Sequence, residues 1–293
     1  MTKDELTLGY AQTSDLCVHY AEWTQQLPQA QSSAPIVMLH GLSSTLHIWD
    51  IVAPQLSDNH RVIALDQRGH GLTTQPNDGY DLDTSSDDVI AFNTAIGLPE
   101  PFWLIGHSWG AAVALNTASR YPNHVRGLVL VDGGALDLKQ WLPTWAEAEA
   151  RLTPPSLSHL TLEELRVSMR QHWLQAAWSP DAENAAMYSF EEDANGQAQR
   201  RLNLRNHMQI AQHLWAFTPA DHFPKITCPV LITPARGYGD PLRDETRTEV
   251  IASTAAQLTH IRCQVIWFDD TIHDIPWHRP TELATVINSF IQG

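Results

Sequence analysis

Gly106-His107-Ser108-Trp109-Gly110 sets a serine between glycines two positions away on either side. A serine hydroxyl can attack a carbonyl carbon, but it is a weak nucleophile at neutral pH and needs a base within hydrogen-bond reach. The flanking residues supply a mount. Trp103 to Ile105 reads as a short buried strand, and Ala111 to Arg120, rich in small residues, reads as a helix. Strand, G-x-S-x-G, helix is the context in which the serine occupies a sharp, strained turn and its hydroxyl projects from the strand end. Strand and helix come so close there that side chains at 106 and 110 would clash, hence glycine at both. The Trp109 amide opens the helix and points into the same space, where the helix dipole favours negative charge. At average Gly and Ser frequencies, a chance match in a chain this long is expected about 0.1 times.

The elements that must position this serine belong to a chain of 293 residues, long enough for one large α/β domain with an inserted subdomain. With 43% hydrophobic and 17% charged residues it is a packed globular protein. A net charge of −15 argues against nucleic acid or an anionic membrane as partner. The three cysteines, Cys17, Cys228 and Cys263, are far apart and lack C-x-x-C spacing; Cys228 and Cys263 fall in expected buried strands, which fits a reducing compartment. No basic and then apolar leader opens the sequence, and no apolar run approaches the ~20 residues of a bilayer span. The expectation is a cytoplasmic protein with no membrane span.

In order, Leu6–Tyr10 and Leu16–Trp23 read as an antiparallel pair, followed by a polar connection over 24–34. Pro35–His40 is a short buried strand running into Gly41-Leu42-Ser43-Ser44, and a helix is expected from about Ile48 to Asp58. Arg61–Asp66 is a strand closed by a Gly-rich loop through Gly71. Ser85–Ile96 is a helix started by Thr84 or Ser85. Val125–Asp132 is another buried strand, closed by Gly133-Gly134. The alternation then breaks. Residues 135–223 hold no convincing strand, helical patterns at Thr161–Trp178 and Gly196–Trp215, and five tryptophans: Trp141, Trp145, Trp173, Trp178 and Trp215. Strand and helix then resume: Cys228–Thr233, Thr246–Leu258, Gln264–Phe268 and Pro280–Gln292. Strands separated by helices imply a mostly parallel sheet with right-handed crossovers, and ligands at the carboxyl ends of its strands. His40, Ser108, Asp132 and the segment after Thr233 all fall at that edge.

Taken together, the chain resembles the α/β-hydrolase family from Leu16 to Gln292, apart from the insertion. The residues that carry the likeness are His40-Gly41, Asp66-x-Arg68-Gly69-x-Gly71, the Gly106–Gly110 elbow, Pro229-Val-Leu-Ile-Thr followed by Gly239-Asp240, and His273 ahead of a terminal helix. The chain departs from the usual pattern in two places: Leu72 and Thr73 stand where serine often follows the Gly-rich loop, and Ile272 stands where glycine often precedes the catalytic histidine. The resemblance implies an α/β fold with a mostly parallel eight-stranded sheet flanked by helices and a helical cap. The organisation is then 1–134 and 224–293 as the two parts of the core, with 135–223 as the cap.

The resemblance also implies a Ser-His-acid triad, in the chain order Ser, acid, His. Ser108 is the expected nucleophile; serine there, not aspartate, disfavours chemistry through a carboxylate ester. His273 is the expected general base, one of fifteen histidines, with His278 its nearest rival. Asp240 is the expected acid, Asp132 the alternative, and Asp244 a further candidate. The backbone N–H groups of Leu42 and Trp109 would form the oxyanion hole, while His40 and His107 are expected to hold loop shape. The cap tryptophans either line an apolar pocket or pack the cap's own core. No cofactor is implied, and His207, His213 and His222 lack metal-ligand spacing, so no metal site is expected. The expected reaction is hydrolysis of a small-molecule carboxylic ester or lactone through an acyl-enzyme. Three rivals share the machinery. One is an aminopeptidase of the proline-iminopeptidase type, for which Glu191, Glu192 and Asp193 could capture a free amine. A second is a C–C bond hydrolase, and a third is a small-ligand receptor that retains the fold.

Overall fold

The computed structural model describes residues 5–24, 33–174, 176–237 and 241–293. Its centre is a set of short apolar runs that pair side by side. Strands β1 (Glu5–Gln12), β2 (Cys17–Thr24), β3 (Ile36–Leu39), β4 (Val62–Leu65), β5 (Phe102–His107) and β6 (Val125–Val131) join β9 (Val230–Thr233) and β10 (Cys263–Val265) in one eight-stranded sheet. The order across it is β1-β2-β4-β3-β5-β6-β9-β10, antiparallel at β1/β2 and β2/β4 and parallel elsewhere. Every residue of β3, β4, β5 and β9 is buried, as expected of parallel strands covered on both faces. This is why they read as unbroken apolar runs and not as alternating ones.

The Gln264–Phe268 expectation is met by a strand that loosens towards its end. β10 stops at Val265, but Phe268 N–H still donates to Pro234 O at 2.9 Å, and Ala235 bridges Phe268 in parallel. That continuation carries the chain to His273 at the correct edge. The terminal helix spans Pro280–Gln292, as expected.

Several expected boundaries move. The helix expected over 48–58 is instead a 3-10 turn, Leu46–Trp49, and a single α-turn, Ala53–Leu56, with Pro54 in its first turn. All four residues of the 3-10 turn are buried, so no amphipathic stripe marked its true shape. The helix expected from Ser85 starts at Leu82, because Asp81 is the cap: its carboxylate accepts the Thr84 N–H at 2.8 Å. Cys263 is only half-buried, whereas Cys228 is buried; all three thiols are free. The connection expected over 24–34 lies almost wholly outside the described residues.

Residues 135–223 contribute nothing to the main sheet, but they do contain strands. A two-stranded hairpin, β7 (Phe190–Glu192) and β8 (Ala198–Arg200), interrupts helices at 145–152, 162–168, 180–187 and 204–216. The hairpin turn is organised by Asp193, whose Oδ1 accepts the N–H groups of Asn195 and Gln197, with Gly196 at φ +76°. The helix expected from 196 therefore begins only at Leu204, capped by Asn203. The helix expected over 161–178 ends at Ser168 and continues as a π-turn through Trp173. Among the described residues no helix is long and apolar enough to cross a membrane.

Candidate active site

Ser108 sits at φ +55°, ψ −120°, between the end of β5 and the helix Trp109–Arg120. A non-glycine residue reaches this region at a cost, and the surroundings must hold it there. Ser108 N–H donates to Val131 O at 2.9 Å and Ser108 O accepts the Ala111 N–H at 3.0 Å. The glycines make the approach possible: a Cβ on Gly106 would strike the Gly110 carbonyl, and one on Gly110 would strike the His40 carbonyl. A third glycine, Gly133, has the same role from the far side, since a Cβ there would strike the Ser108 carbonyl. The motif flags the first two; nothing local in the sequence marks the third.

Three side chains from three separate loops meet at this turn. Ser108 Oγ lies 2.8 Å from His273 Nε2, and His273 Nδ1 lies 2.5 Å from Asp132 Oδ2. Asp132 directly follows β6 at φ +44° and is buried, whereas about half of the His273 side-chain surface is open. The other Asp132 oxygen, Oδ1, accepts the Ala235 N–H at 2.8 Å and the Nη2 of Arg247. Arg247 is itself buried and comes from the helix Pro241–Gln257. Burial pushes the Asp132 carboxyl up, but the hydrogen bond from His273 and the charges of His273 and Arg247 bring it below the ordinary aspartate value. Burial pulls His273 down, and Asp132 more than offsets this, leaving its imidazole above the ordinary histidine value. Asp132 is thus a carboxylate and an acceptor only. The proton on His273 stays at Nδ1, and Nε2 is free to accept the Ser108 hydroxyl proton.

Asp132 is the alternative acid of the sequence reading. Asp240, the first choice there, lies outside the described residues. Asp244 is engaged elsewhere, with its Oδ2 accepting the Gly237 N–H at 2.8 Å. Arg247 and the Ala235 amide have no signal in the sequence, since an arginine on a charged helix reads as a surface residue.

Two further histidines shape the site as neutral rings. His40 Nδ1–H donates to Gly41 O at 2.8 Å, and its Nε2 accepts the Gln67 N–H at 3.0 Å. Burial lowers its pKa, so both bonds persist with one proton on the ring. This fixes the 40–42 loop beside Ser108: a Cβ on Gly41 would lie 3.0 Å from Ser108 Cβ and 3.5 Å from its Oγ. Leu42 follows and lines the cavity in front of Ser108. His107 Nε2–H donates to the carbonyl of His273 at 3.1 Å, holding the His273 backbone. Burial first, then the charge of His273, push His107 down to about 3.

The cavity over Ser108 has a volume of about 610 Å³. Its floor is Gly41, Leu42, Ser108 and His273; much of its wall comes from residues 154–207. Of the five tryptophans in the insertion only Trp173 lines it, alongside Trp277 of the core. Trp145 and Trp215 pack on each other at 5.9 Å between ring centres, and Trp178 donates its indole N–H to Glu183 at 2.8 Å. The acidic run that an aminopeptidase would need for an amine is elsewhere: Glu191 pairs with Arg201 at 2.7 Å, and neither it, Glu192 nor Asp193 lines the cavity. His207 accepts from Ser43 Oγ at 2.7 Å and donates to Leu152 O, tying the insertion to the 41–44 loop.

Comparisons with known proteins point the same way. Over 103 residues the chain is 34% identical to the 2-(acetamidomethylene)succinate hydrolase of Mesorhizobium japonicum, covering 35% of this chain and 37% of that protein. It is 34% identical over 119 residues to a bifunctional esterase/perhydrolase of Acinetobacter calcoaceticus, covering 40% and 41%. These matches span well under half the length of each relative. In structure, an E-2-(acetamidomethylene)succinate hydrolase superposes with a TM-score of 0.81 at 19% identity, over 99% of this chain and 100% of that one. An esterase from Exiguobacterium antarcticum superposes with a TM-score of 0.72 at 20% identity, over 98% and 100%. The family model for the alpha/beta hydrolase fold matches residues 34–227, the stretch from β3 through the elbow and the whole insertion. With that match and an eight-stranded sheet in the order given above, the chain belongs to the α/β-hydrolase family.

Proposed function

We propose that this protein is a serine hydrolase that cleaves a carboxylic ester or lactone through an acyl-enzyme, with Ser108, His273 and Asp132 as its triad. The observation that carries the reading is the bridge made by His273, 2.8 Å from Ser108 Oγ on one side and 2.5 Å from Asp132 on the other. Ser108 Oγ attacks the carbonyl carbon as its proton passes to His273 Nε2. The N–H groups of Leu42 and Trp109 receive the oxyanion; each such donor is worth on the order of 10²–10³ in rate. Collapse of the tetrahedral intermediate breaks the ester C–O bond, and the leaving alkoxide takes the proton from Nε2. Water then attacks the acyl carbon, giving its proton to Nε2, and Ser108 departs with that proton as the acid product forms. Residues 135–223 act as a cap whose inner surface sizes the acyl group.

The test is hydrolysis of p-nitrophenyl acetate, butyrate and octanoate by the wild-type protein and by Ser108→Ala, with equal folding checked by circular dichroism. Turnover that vanishes in the variant supports the acyl-enzyme. Rates unchanged by the substitution, or no turnover of any of the three, overturn it.

A further inference from the structure

The cavity over Ser108 carries a charge that the proposed chemistry does not use. Arg200, on strand β8 of the hairpin, lines this cavity together with its cross-strand partner Phe190. Its guanidinium sits 5.9 Å from the centre of the Phe190 ring, and one N–H is spent on the Pro155 carbonyl at 2.8 Å. Arginine has five N–H donors in a fixed planar fork. Among the described residues no carboxylate acts on Arg200: burial alone moves its pKa, downward. The neighbouring Arg201, by contrast, is paired with Glu191. Among the described residues one carboxyl lines the cavity, Asp274, and it faces His107, with its Oδ1 3.9 Å from His107 Nε2; no ion pair joins it to Arg200. A half-buried cation held against an aromatic ring and left without a counter-charge is costly unless something else supplies the charge.

We propose that Arg200 is the anchor for an anionic group of the substrate, a carboxylate carried on the acyl portion, and so a specificity-determining residue of this hydrolase. The proposal rests on the acyl-enzyme reading above for its reaction, but not for its binding. A carboxylate accepts two parallel N–H bonds from the guanidinium fork, a geometry that a lysine ammonium does not reproduce. The anion is then fixed at the hairpin while the scissile carbonyl reaches Ser108 across the same cavity.

Two esters of matched acyl length separate the possibilities: mono-4-nitrophenyl adipate, which ends in a carboxylate, and 4-nitrophenyl hexanoate, which ends in a methyl group. The wild-type protein is expected to favour the adipate ester in kcat/KM by on the order of tenfold or more, the effect of a charge-assisted bond. Arg200→Gln should erase that preference with the hexanoate rate held within about threefold, and Arg200→Lys should restore part of it. A wild-type protein that favours hexanoate, or an Arg200→Gln variant that loses both activities equally, overturns the proposal. If neither ester is turned over through Ser108, the acyl-enzyme reading fails separately. Adipate binding to the wild-type protein and to Arg200→Gln, followed by thermal shift, then decides the anchor alone. Stabilisation of the first and not the second upholds it; equal or absent stabilisation removes it.

Discussion

Asp132→Asn is the most informative substitution, because the structure dictates which way the new amide must face. Oδ1 of Asp132 accepts two donors, the Ala235 N–H and the Arg247 guanidinium. An asparagine at 132 must place its carbonyl oxygen there, since an NH₂ group would confront two other donors. Its NH₂ group then occupies the place of Oδ2 and donates to His273 Nδ1. That forces the proton of the neutral ring to Nε2, which now faces Ser108 Oγ with a hydrogen and no lone pair. The base cannot accept the serine proton, although all three side chains stay where they were. Inverting the tautomer in a triad of this kind costs on the order of 10⁴ in kcat, about 5 kcal/mol of transition-state stabilisation. The assay is steady-state p-nitrophenyl butyrate hydrolysis, with thermal melting to confirm that the variant folds. Asp240→Asn, run in parallel, should stay within about threefold of wild type if Asp132 is the acid. If Asp132→Asn keeps more than a tenth of the wild-type kcat while Asp240→Asn loses activity, the acid is not Asp132 and the tautomer argument is wrong.

The remaining predictions probe the same arrangement. Because Asp132 holds the His273 imidazolium above its ordinary pKa, kcat/KM should rise with pH through an apparent pKa above 6.5. A pH–rate profile on a neutral ester checks this, and a limb at or below 6.5 contradicts it. Gly133→Ala should destabilise the fold by about 3 kcal/mol or more, since its Cβ meets the Ser108 carbonyl; denaturant unfolding gives the answer, and an unchanged midpoint disproves the close approach. His107, buried and pushed down to about 3, binds a proton only when unfolded between that pH and 6.5. Stability therefore falls as pH falls through that window, by up to ~1.4 kcal/mol per pH unit for this one group. His107→Gln, which keeps the N–H donor, should show a shallower loss between pH 7 and 4 in urea titrations; an identical slope rules the assignment out.

How much of this was legible in the sequence depends on whether the signal was local. The parallel strands announce themselves because both faces are covered, so β3, β4, β5 and β9 are apolar at every position. The elbow announces itself because only glycine tolerates the approach of backbone to backbone on both sides of Ser108. The hairpin of β7 and β8 did not, because three-residue strands are too short to establish an alternation. Its one clear mark is Asp193-Ala-Asn-Gly196, a turn sequence that runs into the first residue of the expected helix. Missing the hairpin concealed Arg200, which has no motif around it. The acid was ambiguous for a different reason. Adjacent strands β6 and β9 end at the same sheet edge, so the sequence pattern alone does not choose between a carboxylate that follows one and a carboxylate that follows the other.

The position of Asp132 also explains why Arg247 is buried beside it. Asp132 and Arg247 form a neutral pair, and at a pH above the titration of His273 the ring beside them is uncharged. During attack on the substrate carbonyl, one positive charge appears on His273 and one negative charge on the oxyanion, so the site stays neutral overall. Without Arg247 the isolated carboxylate would bind the histidine proton more tightly, raising the imidazole further and leaving less neutral base at a given pH. The charge of Arg247 acts against that rise, and Asp274 acts with it. In the proposed triad Arg247 would therefore tune the basicity of His273 through the far oxygen of Asp132, without touching the ring. Arg247→Met should accordingly move the rising limb of kcat/KM to higher pH while leaving the plateau rate within about tenfold, with thermal melting to confirm that the variant folds. A limb that moves to lower pH would show that the arginine only holds Asp132 in place.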